Sequence, residues 1–205
     1  MYSIHHMDRI ILASGNPGKL RELRHGLGPL GIQIHPQSEF EVPEAEETGT
    51  TFVENAIIKA RNAARHTGLP ALGDDSGLQV DALAGAPGVL SSRYAGAQAS
   101  DQDNNRKLLA ALQGQENRSA SFVCVLALMQ SATDPTPQLF QGHWTGEILL
   151  QPRGERGFGY DPLFLASECD CSAAQLTPDE KDRLSHRGIA MRSLIEVLNA
   201  EVLKS

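Results

Sequence analysis

The sequence is poor in aromatic residues and has no excess of basic charge. Aromatic side chains make up 5% of the 205 residues, and the formal net charge is −7. A protein that binds the phosphate backbone of DNA or RNA over a broad surface needs a basic face. The acidic balance therefore predicts no nucleic-acid partner, although a few lysines still suffice to hold a small anionic ligand.

Long apolar runs and regular cysteine spacings are also missing. No run approaches the roughly 18 residues that span a bilayer, and the start MYSIHHMDR lacks the apolar stretch of a signal peptide. Cys124, Cys169 and Cys171 form neither a CxxC motif nor a zinc-finger spacing. We therefore expect a cytoplasmic protein without a membrane partner, in which Cys124 is a buried thiol of a strand.

The overall composition is that of a folded globular protein, with 40% apolar and 21% charged residues. A chain of this length buries a full core as one domain or as two lobes that share a sheet. We interpret residues 1–205 as a single domain. Residues 1–6 are interpreted as an N-terminal extension, with Met7 as an alternative start.

A strand, a turn and a helix are predicted near the start of the chain, where the run Arg9 to Ser14 precedes leucines at helical spacing. Within the turn SGNPGK, Asn16 suits the N-cap and Pro17 the first helical position. The amides of a helix start attract phosphate, and Lys19 adds positive charge. A plain connection with a solvated lysine is the alternative, because the spacing differs from the common phosphate-loop motif.

An acidic run leads into the second predicted helix. The run, Glu44 to Glu47, follows a predicted strand over Gly31 to Val42, and Thr51 and Glu54 form a capping box for the helix. The helix presents an apolar stripe and a polar face. These consist of Phe52, Ala56, Ala60 and Ala63, and of Asn55, Lys59 and Asn62.

Two adjacent carboxylates, Asp74 and Asp75, interrupt apolar runs that are typical of strands, and Ser76 with Gly77 allows a turn after them. Neighbouring aspartates repel when both are ionised, so the pair suits open solvent or the neighbourhood of a cation. Both an exposed turn and part of a metal site remain open interpretations.

The second half carries two strand-like runs and a glycine-rich loop. Ser119 to Gln130 predicts an interior strand, and Leu139 to Leu150 predicts a strand or hairpin partner. The loop Arg153 to Asp161 is either flexible or in contact with a ligand, because Phe158 and Tyr160 offer rings on which a base can stack.

Positive charge occurs near the starts of the last two predicted helices. Lys181 follows a capping box at Thr177, and His186-Arg187 opens the final helix. The cations His186 and Arg187 oppose the dipole of the final helix, so an anionic or acceptor-rich partner would compensate them. Together with the carboxylates, these features suit a nucleoside triphosphate and Mg²⁺, for which Glu46 or Glu47 and Asp75 are candidate ligands.

Five motifs resemble the inosine/xanthosine triphosphate pyrophosphatase family in their order along the chain: SGNPGKLREL, AEETGTTFVENAIIKA, LGDDSGLQVDALAGAPGV, GFGYDPLF and SHRG. The resemblance implies an α/β fold with a long central mixed β-sheet and flanking helices that form two lobes around an active-site cleft. It also implies a homodimer and Mg²⁺-dependent cleavage of dITP, ITP or XTP to the nucleoside monophosphate and pyrophosphate.

The resemblance further implies roles for individual residues. Asp75 acts as general base and binds Mg²⁺ with Glu46 or Glu47, and which glutamate is the direct ligand stays open. Lys59 and Asp74 lie close enough to assist. The implied substrate contacts are Ser14, Gly15, Asn16, Pro17, Gly18, Lys19, Lys59, Ser76, Phe158, Gly159, Tyr160, Asp161, Lys181, His186 and Arg187.

Base selection follows from the residue types. Arg187 and a protonated His186 only donate hydrogen bonds, so they favour the oxygen at position 6 of hypoxanthine or xanthine over the amino group of adenine. Two other functions are retained as alternatives: a pyrophosphatase for modified pyrimidine nucleotides, and a nucleotide-binding protein without turnover.

Overall fold

The computed structural model describes residues 8–202, so the expected extension at residues 1–6 lies outside the described residues. Within this range no helix is both long and apolar enough to cross a membrane. Strands and helices follow one another as β1 (Arg9–Ala13), α1 (Pro17–Leu27), β2 (Gln33–Pro36), α2 (Phe52–Thr67), β3 (Ala71–Val80), α3 (Asp101–Ala111), β4 (Ser119–Met129), β5 (Gln138–Ile148), β6 (Phe164–Ala166), α4 (Pro178–Leu184) and α5 (His186–Val202).

The strands form a mixed sheet in the order β2-β1-β3-β4-β5-β6. Strand β1 pairs in parallel with both β2 and β3, whereas β5 and β6 are antiparallel. The long strands β3, β4 and β5 have ten or eleven residues each. The predicted α/β class with a long central mixed sheet and flanking helices is confirmed.

Strand β2 is shorter than the predicted range from Gly31 to Val42. It ends at Pro36, and a 3₁₀ turn over Gln37–Phe40 follows directly. Proline has no amide hydrogen to donate, so it cannot continue the ladder of backbone hydrogen bonds. The predicted strand was too long because it did not take into account that Pro36 ends the strand.

The chain divides into two compact units. The first comprises the described residues up to Asp75, the segment Cys124–Gln141 and the residues from Arg187 onward. Its core joins side chains of β1, α1, β3, β4 and α5, and Cys124 is fully buried in β4 as predicted. Representative members are Ile10, Leu12, Leu23, Leu72, Leu126 and Leu194.

Helix α2 packs on β3 at Gly73 within this first unit. A Cβ atom at Gly73 would lie 2.0 Å from the backbone oxygen of Ala56, so only glycine permits this approach. The predicted apolar stripe of α2, which includes Ala56, Ala60 and Ala63, is buried. The contact fixes α2 beside the part of β3 that carries the two aspartates.

The second unit comprises Ser76–Val123 and Gly142–His186. Its core contains a group of packed aromatic rings: the Phe122 ring centroid lies 4.6 Å from that of Phe164 and 6.3 Å from that of Trp144. The indole Nε1 of Trp144 donates to Glu168 Oε2 at 3.0 Å. A disulfide that the sequence did not predict joins Cys169 and Cys171 shortly after β6.

Candidate active site

The first helix start has the predicted cap. Asn16 Oδ1 accepts from the amides of Gly18 at 2.8 Å and Lys19 at 3.2 Å, and Pro17 begins α1. The Ser14 hydroxyl oxygen in turn accepts from the Asn16 amide at 3.2 Å. The cap occupies the amides of Gly18 and Lys19, and Pro17 has no amide hydrogen. An anion at this end therefore relies on the Gly15 amide, the helix dipole and the Lys19 ammonium.

Asp74 is fully buried in a network of opposite charges. Its Oδ1 lies 2.7 Å from Lys19 Nζ, and its Oδ2 lies 2.6 Å from Arg187 Nε. The Arg187 guanidinium also pairs with Glu22. Burial alone would raise the pKa of Asp74, but Arg187 and Lys19 hold it well below its usual range.

Asp75 is bound by a different lysine. Its Oδ1 lies 2.6 Å from Lys59 Nζ, and the same ammonium is 3.0 Å from Glu47 Oε1. Burial raises the pKa of Asp75 although Lys59 opposes that shift. For Lys59, burial lowers the pKa, and the attraction of Asp75 and Glu47 more than offsets it, so the net pKa is raised.

The two aspartates coexist because successive residues of a strand point to opposite faces. Asp74 faces Lys19 and Arg187, and Asp75 faces Lys59, so each carboxylate has its own cation. Both lie inside β3 and are buried, at 0% and 5% exposure. The interpretation as an exposed turn is therefore wrong.

The acidic segment from residue 43 to residue 50 is fastened to α2 by side chains on the predicted polar face. Asn55, which is fully buried, accepts from the Gly49 amide at 2.9 Å through Oδ1. Asn62 Nδ2 donates to the Pro43 carbonyl at 2.8 Å. Together with Lys59, these contacts bring Glu47 to the Asp75 carboxylate.

Glu46 is placed differently from its neighbour. Its side chain is exposed, and none of the contacts found across residues 8–202 joins it to Lys59 or Asp75. Of the two candidate ligands left open by the sequence, Glu47 is the one that shares a partner with Asp75.

A divalent cation fits this pair of carboxylates. Asp75 Oδ2 is buried and has no hydrogen-bond partner in the described part of the chain, and such an acceptor is costly unless something occupies it. The described residues contain no cluster of three or more His, Cys, Asp or Glu side chains around one point. Mg²⁺ needs only one or two carboxylates when water and phosphate complete its shell.

In the second unit, the segment Phe158–Asp161 is tied to α4. Asp161 Oδ2 accepts from the Phe158 amide at 2.9 Å and pairs with Lys181 Nζ at 2.6 Å. The Lys181 ammonium also lies 4.9 Å from the centroid of the half-buried Phe158 ring. A cation at this distance from a ring face is attracted to it, so Phe158, Asp161 and Lys181 form one cluster.

The Tyr160 ring is not available for stacking on a base. It is 4% exposed, and its hydroxyl donates to the Ser91 carbonyl at 2.8 Å. Burial raises the pKa of Tyr160, in keeping with this enclosed position. The interpretation of Tyr160 as a stacking ring is corrected to a core residue, while the Phe158 ring keeps a partly exposed face.

The residues that open α5 differ in their surroundings. His186 stacks on Phe122 with centroids 4.7 Å apart and planes 10° apart. Arg187 is 1% exposed, and its Nε and both terminal nitrogens already donate to Asp74 and Glu22. The interpretation of Arg187 as an open reader of the base is therefore corrected: its donors serve an internal carboxylate network.

The predicted residues thus group by unit. The first unit brings together Ser14 to Lys19, Glu47, Lys59, Asp74, Asp75 and Arg187, and the second holds Ser76, Phe158 to Asp161, Lys181 and His186. Sequence reasoning missed Glu22 and the anchoring role of Asn55. The available signals were helical spacings, since Glu22 follows Lys19 by three residues and Asn55 precedes Lys59 by four.

Comparison with known proteins decides the family. The Ham1 family model matches residues 10–197. The chain belongs to the Ham1 family. The family membership that the five sequence motifs predicted is therefore confirmed.

Curated relatives and solved structures cover almost the whole Ham1 chain. A dITP/XTP pyrophosphatase from Idiomarina loihiensis is 60% identical over 195 residues, which are 92% of this chain and 96% of that protein. One from Vibrio parahaemolyticus is 55% identical over 197 residues, covering 95% and 98%. The structure of a HAM1 protein from Coxiella burnetii matches with a TM-score of 0.87 at 54% identity, covering 94% and 98%.

Proposed function

We propose that this Ham1 protein hydrolyses the non-standard purine nucleotides dITP, ITP and XTP to the nucleoside monophosphate and pyrophosphate. The observation that carries the proposal is the Asp75 carboxylate, which Lys59 holds through Oδ1 while the buried Oδ2 has no protein partner among the described residues. The names of the closely similar relatives supply the substrate class.

Asp75 and Glu47 are the residues that would hold Mg²⁺. The ion, when bound, supplies a Lewis acid that polarises a phosphoryl oxygen and lowers the pKa of a water. Asp75 would also accept the proton of the attacking water. Lys59 holds the Asp75 carboxylate in place and counters negative charge beside it.

The capped helix start supports binding of the triphosphate. The segment Ser14 to Lys19 lies at the positive end of α1, where the Gly15 amide and the Lys19 ammonium are the proposed phosphate donors, and Lys19 is fixed by Asp74. In the second unit, Phe158 offers a ring face, and Ser76, Gly159, Asp161, Lys181 and His186 complete the proposed substrate contacts. We assign Arg187 as a positioning residue that holds Asp74, which in turn holds Lys19.

The test is a product assay. Purified protein mixed with Mg²⁺ and ITP is expected to release IMP and pyrophosphate in equal amounts. Release of orthophosphate, or binding of ITP without turnover, contradicts the proposal. A competition among ITP, XTP, ATP and modified pyrimidine nucleotides at equal concentration then tests the purine preference.

We also propose that the protein acts in the cytoplasm as a homodimer. A nucleotide-pool enzyme must meet its substrate where nucleotides circulate, and the chain has no membrane-spanning helix within residues 8–202. Light scattering coupled to size-exclusion chromatography measures the assembly directly. A mass of one chain, about 22 kDa, at assay concentration contradicts the dimer.

A further inference from the structure

Two side chains of α3 hold both backbone polar groups of Gly159. Asp101 Oδ2 accepts from the Gly159 amide at 2.7 Å, and Asn105 Nδ2 donates to the Gly159 carbonyl at 3.0 Å. Asp101 and Asn105 are four residues apart and therefore share one face of the helix. One helix thus fixes the peptide groups on both sides of Gly159.

Gly159 is a position where such support matters. Its φ is +60°, in the left-handed region that side chains disfavour, and it lies in the proposed substrate segment Phe158–Asp161. The preceding residues 151–157 are exposed and belong to no helix or strand. Backbone bonds to neighbouring elements therefore determine the shape of this segment.

The other residues of the segment have different anchors. Asp161 accepts from the Phe158 amide, and the Tyr160 hydroxyl bonds to the Ser91 carbonyl. The Asp161 amide also donates to the Phe158 carbonyl at 3.2 Å, within the peptide group that precedes Gly159. These contacts stay inside the segment or reach Ser91, whereas the bonds from Asp101 and Asn105 connect the Gly159 amide and carbonyl to α3.

We propose that Asp101 and Asn105 are positioning residues that preset the Phe158–Asp161 segment for nucleotide binding. The inference rests on the proposed function, because it takes this segment as part of the substrate site. A segment that is ordered in advance loses little conformational entropy when the ligand binds. Without the two bonds, the segment would lose this conformational entropy when the nucleotide binds. The affinity would then fall, so we expect KM to rise while kcat changes little.

The Asn105 amide allows a clean substitution. Its Oδ1 is buried and has no hydrogen-bond partner within residues 8–202, so the bond from Nδ2 to the Gly159 carbonyl is what holds the amide there. Leucine has a similar size and no polar atom. Asn105→Leu removes the bond to the half-buried Gly159 carbonyl together with the unsatisfied oxygen, so we expect only a small change in melting temperature.

The experiment compares KM and kcat for ITP, and the melting temperature, across four variants. Asp101→Ala and Asn105→Leu are each expected to raise KM about fivefold with kcat within about twofold of wild type, the scale of one hydrogen bond. Asp101→Asn keeps an oxygen acceptor and is expected to recover most of the lost affinity. Asp103→Ala is the matched control, because Asp103 serves the capping box of α3 with Ser100.

Each outcome decides between the explanations. A lower melting temperature in Asp103→Ala with unchanged KM, beside raised KM in Asp101→Ala and Asn105→Leu, supports positioning. Unchanged KM in both of these variants overturns the inference, as does an equal rise in Asp103→Ala, which would trace the effect to helix stability. If wild-type protein turns over ITP and the variants match it, only this inference fails. Absence of wild-type turnover overturns the proposed function and this inference with it.

Discussion

Lys59 Nζ lies 2.6 Å from Asp75 Oδ1, and this ion pair joins α2 to β3 at the candidate catalytic carboxylate. The ammonium also contacts Glu47 at 3.0 Å, so one cation gathers two carboxylates from separate segments. The second Asp75 oxygen, Oδ2, makes no hydrogen bond to any described residue. Lys59 therefore orients the Asp75 carboxylate through Oδ1, and Oδ2 is the oxygen that a ligand could contact.

Replacement of Asp75 by asparagine tests its role as proton acceptor. Asp75→Asn keeps the size of the side chain but cannot take a proton, so we expect at least about a 10²-fold loss of turnover. Circular dichroism is expected to match wild type, and so is nucleotide binding at saturating Mg²⁺, which is used because Asp75 is also a proposed metal ligand. Full activity in a correctly folded variant would mean that another group takes the proton.

The two neighbouring glutamates are expected to respond differently. Glu47→Gln weakens the pair of carboxylates at Lys59, so the Mg²⁺ concentration for half-maximal activity should rise by about tenfold or more. Glu46→Gln alters an exposed side chain and serves as the matched control. Calorimetric titration with Mg²⁺ gives a readout besides activity. A larger effect of Glu46→Gln would reverse the assignment.

Arg187 is expected to affect stability more than base selection. Arg187→Met leaves Glu22 and the buried Asp74 without their guanidinium partner, which should cost about 3 kcal/mol in the free energy of unfolding. The ratio of ITP to ATP turnover should change less than about threefold, since the guanidinium donors already serve carboxylates. Urea unfolding and paired rate measurements check both values, with the exposed Arg65→Met as control. A collapse of selectivity without loss of stability would restore Arg187 as a reader of the base.

Asn55 is expected to set the position of the acidic segment. Asn55→Ala removes the buried bond to the Gly49 amide, so Glu47 should lose its fixed approach and the Mg²⁺ requirement should rise by about fivefold. Asn62→Ala removes a comparable bond to the Pro43 carbonyl at the exposed end of the same segment. We expect Asn62→Ala to have the smaller effect. Equal effects of the two variants would mean that the Asn55 bond holds the acidic segment in general and does not specifically position Glu47.

Local signals in the sequence predicted most of the helix starts. Asn16, Thr51 and Thr177 cap their helices as expected, because a cap depends on residues within one turn. The buried face of α2 was also predicted, because apolar spacing reports which side meets the core. These features need no knowledge of distant residues.

Features that depend on long-range packing were not predicted. The partners of Arg187 lie at residues 22 and 74, and no local pattern indicates that its donors are occupied. The aromatic ring of Tyr160 suggested stacking on a base, but its hydroxyl donates a hydrogen bond to a carbonyl 69 residues away in the chain. The sequence likewise could not show which of Glu46 and Glu47 lies near Asp75, because that depends on which of them Lys59 contacts.

Gly73 has no functional group, yet the reach of Lys59 depends on it. With a methyl group only 2.0 Å from the Ala56 carbonyl oxygen, α2 would have to withdraw from β3. Lys59 would move away from β3 with α2, and its ion pair with Asp75 would lengthen or break. Gly73 thus sets the spacing between α2 and β3 that the Lys59–Asp75 ion pair requires, although it contributes no side chain of its own.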